Sequence, residues 1–170
     1  MTIKILGLIF VIASCGGVGF KMAADYRREE IALRQLVRIL DFMACELQYR
    51  LTPLPILCRQ VWVTFPEMPG RVFAELSAEL DAQNATDVAQ CVDIALNKVK
   101  FIPPITYKTI EQLGRSIGKF DLEGQINGIE SVRQDCNRNL ALLTDNRENR
   151  LRSYQTLGLC AGAALAILFV

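Results

Sequence analysis

The sequence predicts an all-α protein: a six-helix antiparallel bundle flanked by N- and C-terminal transmembrane helices. Three observations predict it. Apolar residues recur at spacings of three, four and seven along most of the chain, and no stretch alternates with period two between turn dipeptides. Pro53, Pro66 and Pro69, Pro103-Pro104 and Gly118 punctuate that pattern. Both ends carry uncharged apolar runs, Ile5 to Phe20 and Leu157 to Val170. The expected domains are therefore a transmembrane helix over 1–24, a helical bundle over 25–153 and a second transmembrane helix over 154–170.

The first run, ILGLIFVIASCGGVGF, has 16 residues. As a helix it is about 24 Å long, short of a hydrocarbon core of roughly 30 Å. Lys4 and Lys21 can snorkel, and Ile3, Met22, Ala23 and Ala24 can lengthen it. The alternative is a cleaved leader, either an ordinary signal peptide or, since Ile12-Ala13-Ser14-Cys15 resembles a lipobox, that of an extracytoplasmic lipoprotein or envelope-binding helical module. The single lysine ahead of it and the apolar residues beyond Cys15 favour a spanning helix.

Asp25 to Leu51 continues that helix. Leu33, Leu36, Val37, Leu40, Met43, Ala44, Leu47 and Leu51 form its inward face. Arg27, Glu30, Arg34, Arg38 and Asp41 fill the other side, with Glu30 and Arg34 in the favourable acid-first order. Thr52 as N-cap and Pro53 as first helical residue start a short second helix to Phe65, facing inward with Leu54, Leu57, Val61 and Phe65. A third runs from about Pro69 to Ala82 on Val72, Phe73, Leu76 and Leu80, and Asn84 ends it. Thr86 caps a fourth, with Asp87 at its positive end and Val88, Cys91, Val92 and Leu96 inward. Pro103-Pro104 separates it from a fifth, about Ile105 to Ile117, built on Ile110, Leu113 and Ile117.

Gly118 suits the left-handed position after that helix, and Asp121 caps the last one. Phe120, just before the cap, is placed to staple onto Ile126. Leu122, Ile126, Ile129, Cys136, Leu140, Leu143, Leu151 and Tyr154 share one face before the chain turns wholly apolar at Leu157. Gly124 and Gly128 form a Gly-x-x-x-Gly pair whose expected role is close helix packing.

Composition narrows the function. Lys21 to Arg152 holds 18 basic and 18 acidic residues, a neutral balance that argues against nucleic acid as partner. There is no histidine, which removes the commonest general base and metal ligand. Ser116 thus has no triad partner. The six cysteines (15, 45, 58, 91, 136 and 160) form no C-x-x-C pair and read as small buried hydrophobes. Glu46, Asp121, Glu123 and Glu130 read as capping or solvated carboxylates. No catalytic, cofactor or metal site is expected. Lys21, Arg27, Arg28, Arg34 and Arg38 follow the first run, and Arg147, Arg150 and Arg152 precede the second. By the positive-inside rule the bundle faces the cytoplasm.

Two stretches carry a resemblance. One is Glu46-Leu47-Gln48-Tyr49-Arg50-Leu51-Thr52-Pro53-Leu54. The other is Leu113-Gly114-Arg115-Ser116-Ile117-Gly118-Lys119-Phe120-Asp121, with Gln125 after it. With the terminal runs and the length, they resemble the stage III sporulation protein AB family of endospore-forming bacteria. That family is similar to the F-domain platform proteins of type II secretion and type IV pilus machines, whose cytoplasmic domains are six-helix bundles. The resemblance implies a part in a channel between mother cell and forespore. Its partners would be the membrane, other channel proteins and a secretion-type ATPase, stage III sporulation protein AA, with a homo-oligomer allowed. It supplies no catalytic residue. Arg115, Lys119 and Asp121, at one end of the bundle, are the candidate partner-binding residues.

Overall fold

The computed structural model describes residues 2–82, 87–117 and 122–145, with side chains from residue 21 onward. Among them are six helices and no strand. They are α1 (Thr2–Arg50), α2 (Leu54–Thr64), α3 (Gly70–Ala82), α4 (Val88–Lys98), α5 (Pro104–Ser116) and α6 (Leu122–Asp145). Among the described residues no helix is long and apolar enough to cross a membrane. The side chains of the first apolar run and the whole of the second lie outside them.

The chain divides into two compact units, of which residues 29–141 form the larger. The described part of the smaller is 2–28 and 142–145. There the Tyr26 hydroxyl donates to the Leu143 carbonyl at 2.5 Å, tying α1 to the last turn of α6.

The larger unit is built on α1. Leu33, Leu36, Ile39, Leu40 and Met43 are fully buried, as the three-four spacing requires. Around them close Leu57, Cys58 and Val61 of α2, Val72, Phe73 and Leu76 of α3, and Cys91, Val92, Ala95 and Leu96 of α4. Ile110 and Leu113 of α5 and Ile129, Val132 and Cys136 of α6 complete the core. Helix α2 runs back along α1, with the Phe42 and Phe65 rings edge to face at 6.0 Å. Helix α6 is also antiparallel to α1, since Arg133 meets Asp41 at 3.2 Å and the Cys136 thiol meets the Leu33 carbonyl at 3.6 Å. Helix α5 instead runs parallel to α1. Glu29 meets its first turn, and Met43 shares a small apolar hollow with Ile110, Leu113 and Ile117. The bundle is thus not antiparallel throughout: α2 and α6 oppose α1, whereas α5 runs with it.

That first turn of α5 has a capping problem. Pro103 is the N-cap and has no side-chain acceptor, and Pro104 follows with no N–H. The next two amides, Ile105 and Thr106, are those an N-cap side chain ordinarily satisfies. Glu29 of α1 reaches them instead. Its Oε2 accepts from the Ile105 amide at 3.1 Å. Its Oε1 accepts from the Thr106 amide and hydroxyl, each at 2.8 Å. A buried acid is thereby satisfied, and its negative charge sits at the positive end of α5.

Several local expectations are corrected. Thr52 does not cap α2; its hydroxyl donates back to Glu46 Oε2 at 3.2 Å, and Pro53 takes the N-cap place. Leu51 points outward rather than inward, because α1 ends at Arg50 and Leu51 turns the chain with φ 52°. Glu30 is buried although its i,i+4 partner Arg34 is exposed. Leu122 is exposed, while Leu80 and Phe65 are half-buried. The stop at Asn84, the caps at Thr86 and Asp121, the Gly118 turn and the Phe120 staple lie outside the described residues; Asp87 is the N-cap of α4.

Close packing falls on glycines. A Cβ on Gly128 would lie 2.9 Å from Ser116 Cβ, which supports the packing role read from Gly-x-x-x-Gly. A Cβ on Gly114 would lie 2.8 Å from both Cβ and Cγ2 of Val92.

Glu29→Ala should strand a buried amide and a buried hydroxyl and cost about 2–3 kcal/mol. The thermal midpoint of the full chain in detergent should fall by roughly 10 °C; a shift below about 2 °C would refute the capping role. Gly114→Ala should also destabilise, by about 1–2 kcal/mol, because the clash outweighs the gain in helix propensity. Combining it with Val92→Ala should recover part of that loss. A double variant whose midpoint shift equals the sum of the singles would show that the two side chains do not meet.

Candidate functional site

Arg115 lies in the last turn of α5. Its neighbours Leu113, Gly114 and Ile117 pack into the core, so the 3.6-residue period turns Arg115 out; its side chain is 69% exposed. It pairs with Glu111 one turn earlier. Gln112 donates to Asp135 Oδ2 at 3.0 Å, fixing this end of α5 to α6. Of the three predicted partner-binding residues the structure therefore places one. Lys119 and Asp121 lie outside the described residues.

The corner between α1 and α2 stands at the same end of the larger unit, since α5 runs parallel to α1. Glu46 organises it. One carboxylate oxygen accepts from the Thr52 hydroxyl, and the other pairs with Arg50 at 3.3 Å. This holds the chain as it leaves the helix and displays two apolar residues, Tyr49 at 78% exposure and Leu51 at 64%. Leu51 occupies the left-handed position after α1 that glycine usually takes. Beside it opens an apolar groove of about 440 Å³, lined by Leu47, Leu51, Pro53, Leu54, Leu80 and Leu122. A second groove, of about 350 Å³, runs between α1 and α2 past Phe42, Ile56, Arg59 and Val63.

Sequence reasoning missed this corner because Leu51 continues the inward spacing of α1. The signal against it was Pro53: a helix that must end before Thr52-Pro53 leaves Leu51 to make the turn.

Among the described residues this end presents exposed apolar and charged groups. Burial pushes the Cys58 thiol up to about 12. It does the same to Cys136, with the Glu29 charge adding to it. Cys91 is raised by burial and then by Glu79 and Asp87. At neutral pH these thiols are protonated and poor nucleophiles. Hydrogen bonds from Arg133, then Gln134, hold the Glu130 carboxyl below the usual range, as expected of a surface ion pair. Among the described residues no cluster of Cys, Asp or Glu is arranged to hold a metal ion.

Comparison with known proteins agrees with this fold. The family model for stage III sporulation protein AB matches residues 4–170. A stage III sporulation protein AB from Bacillus subtilis (strain 168) is 24% identical over 172 residues, covering 99% of each chain. A solved structure of stage III sporulation protein AB superposes with a TM-score of 0.62 at 21% identity, covering 72% of this chain and 98% of that one. At that identity the structural likeness speaks for the fold, while the family model spans nearly the whole sequence. The chain belongs to the stage III sporulation protein AB family.

Proposed function

We propose that this protein is a non-enzymatic platform in the membrane that surrounds the forespore. It would assemble a secretion-like channel between mother cell and forespore and dock a cytoplasmic secretion-type ATPase, stage III sporulation protein AA. In this reading residues 1–24 and 154–170 cross the membrane and the bundle faces the cytoplasm. The observation that carries the docking role is the α1–α2 corner. Tyr49 and Leu51 are large, apolar and exposed beside an apolar groove, on a turn that Glu46 holds. Interfaces favour apolar anchors of this kind. Arg115, at the same end, supplies a charged rim, and Lys119 and Asp121 belong to the proposed surface by their place in the sequence. Family membership, the neutral charge balance and the absence of histidine support the same reading.

Reversing charge with Arg115→Glu and Lys119→Glu should lower co-purification of the ATPase about tenfold, a loss near 1.4 kcal/mol. The thermal midpoint should stay within about 2 °C, because exposed ion pairs contribute little. Unchanged co-purification would remove this surface from the interface. Orientation is tested separately with Gln83→Cys in a chain whose native cysteines are replaced. A membrane-impermeant maleimide should label it only after the cells are opened. Labelling of intact cells would reverse the topology, end the ATPase reading and favour an extracytoplasmic lipoprotein.

A further inference from the structure

We infer that two copies of this chain associate through α2. Each α2 packs antiparallel on its counterpart, about a twofold axis that passes between Arg59 and Gln60. The inference is independent of the ATPase reading and uses only elements of the larger unit.

Helix α2 is apolar on both sides. Leu57, Cys58 and Val61 face the core. The outer side carries Ile56 at 48% and Val63 at 75% exposure, and Arg59 is the one charged residue of the helix. A surface helix ordinarily keeps its outer side polar, and a helix that is apolar all round is a covered one. Beside Ile56 and Val63 runs the groove of about 350 Å³ between α1 and α2, with Phe42, Glu46 and Arg50 on its α1 wall.

The order of residues along α2 says what covers it. In a twofold dimer each contact occurs twice, residue i on j and j on i. Ile56 and Val63 lie equally far from the midpoint between Arg59 and Gln60. An axis there sets Ile56 of one copy against Val63 of the other at both ends of the seam, and Arg59 against Gln60 between them. The polar pair is also matched. The Gln60 side-chain oxygen is buried and has no donor within the chain. Arg59 donates to Asp81 at 2.5 Å and keeps further N–H groups for a second acceptor. A turn of the Gln60 amide toward the seam gives its oxygen the second copy's Arg59 as donor. Charge permits the contact, since Asp81 balances Arg59 and Glu46 balances Arg50. Two copies of this face therefore meet without net repulsion, and a partner selected by charge would find no excess of either sign.

The test uses the full chain in detergent, with Cys15, Cys45 and Cys160 replaced by alanine and the buried Cys58, Cys91 and Cys136 kept. Ile56→Cys and Val63→Cys are made in separate chains that carry tags of different mass, then mixed and oxidised. The unlike disulfide should form roughly fivefold more than either like one. Like positions lie seven residues apart along the seam, about 10 Å, beyond the reach of a disulfide. In sedimentation equilibrium Val63→Glu should raise the dimer dissociation constant about tenfold, with the helical circular dichroism unchanged. Like and unlike disulfides in equal yield would overturn the axis between Arg59 and Gln60. A dimer indifferent to Val63→Glu would place the contact elsewhere on the chain. A chain that stays monomeric at every concentration would overturn the proposal, and a Val63→Cys chain that then cross-links in cells to a different protein would assign this face to that protein.

Discussion

The larger unit depends on one carboxylate. Helix α5 begins at two prolines and has no cap of its own, so its first amides must be satisfied from elsewhere or the helix end could not be buried. Glu29 satisfies both, and the Thr106 hydroxyl as well. The bond is mutual. Without α5, a carboxylate inside the bundle would have lost its water for nothing, a penalty of several kcal/mol. The same contact sets α5 parallel to α1, the one relation that a chain of short antiparallel turns does not imply. Glu29 also lies close enough to Cys136 for its charge to raise that thiol, so the helices α1, α5 and α6 converge around it.

How much of this could be read in the sequence follows from the range of each interaction. The α1 stripe was legible because a long helix repeats its signal many times; Leu33, Leu36, Leu40, Met43 and Leu47 are all buried. Ile39 and Val132 are also buried, and the inward faces read from spacing left them out. The prolines placed the helix starts to within a residue or so. Glu29 was not legible as a cap, because its partners lie more than seventy residues away and an acid beside Glu30 and two arginines looks like a solvated face. Thr52 failed for a different reason. Threonine before proline is a good cap signal, but Glu46 one and a half turns earlier offered its hydroxyl a competing acceptor. Of the candidate site, Arg115 was readable from helical phase, and the exposed corner beside it was not, since it depends on where α1 stops.

Two residues share an unusual backbone. Leu51 and Phe101 both have positive φ, and each stands two places before a proline, Pro53 and Pro103. The shared cause is steric. A residue just before proline is driven to extended geometry, so Thr52 and Ile102 cannot take the reversal that ends the preceding helix. The reversal therefore falls one residue earlier. Glycine would make it at no steric cost, whereas a leucine or phenylalanine there gives up about 1–2 kcal/mol.

In both places the costly residue is also large, apolar and exposed, so it does not regain that energy by packing within the chain. The two positions lie at opposite ends of the larger unit. Leu51 stands where α1 finishes, beside the apolar groove, and Phe101 stands where Glu29 receives the start of α5. Such strain persists where the surrounding structure fixes it, and strained positions cluster at functional sites. The corner at Leu51 suits a protein partner, with a groove to receive apolar groups and Arg115 at the rim.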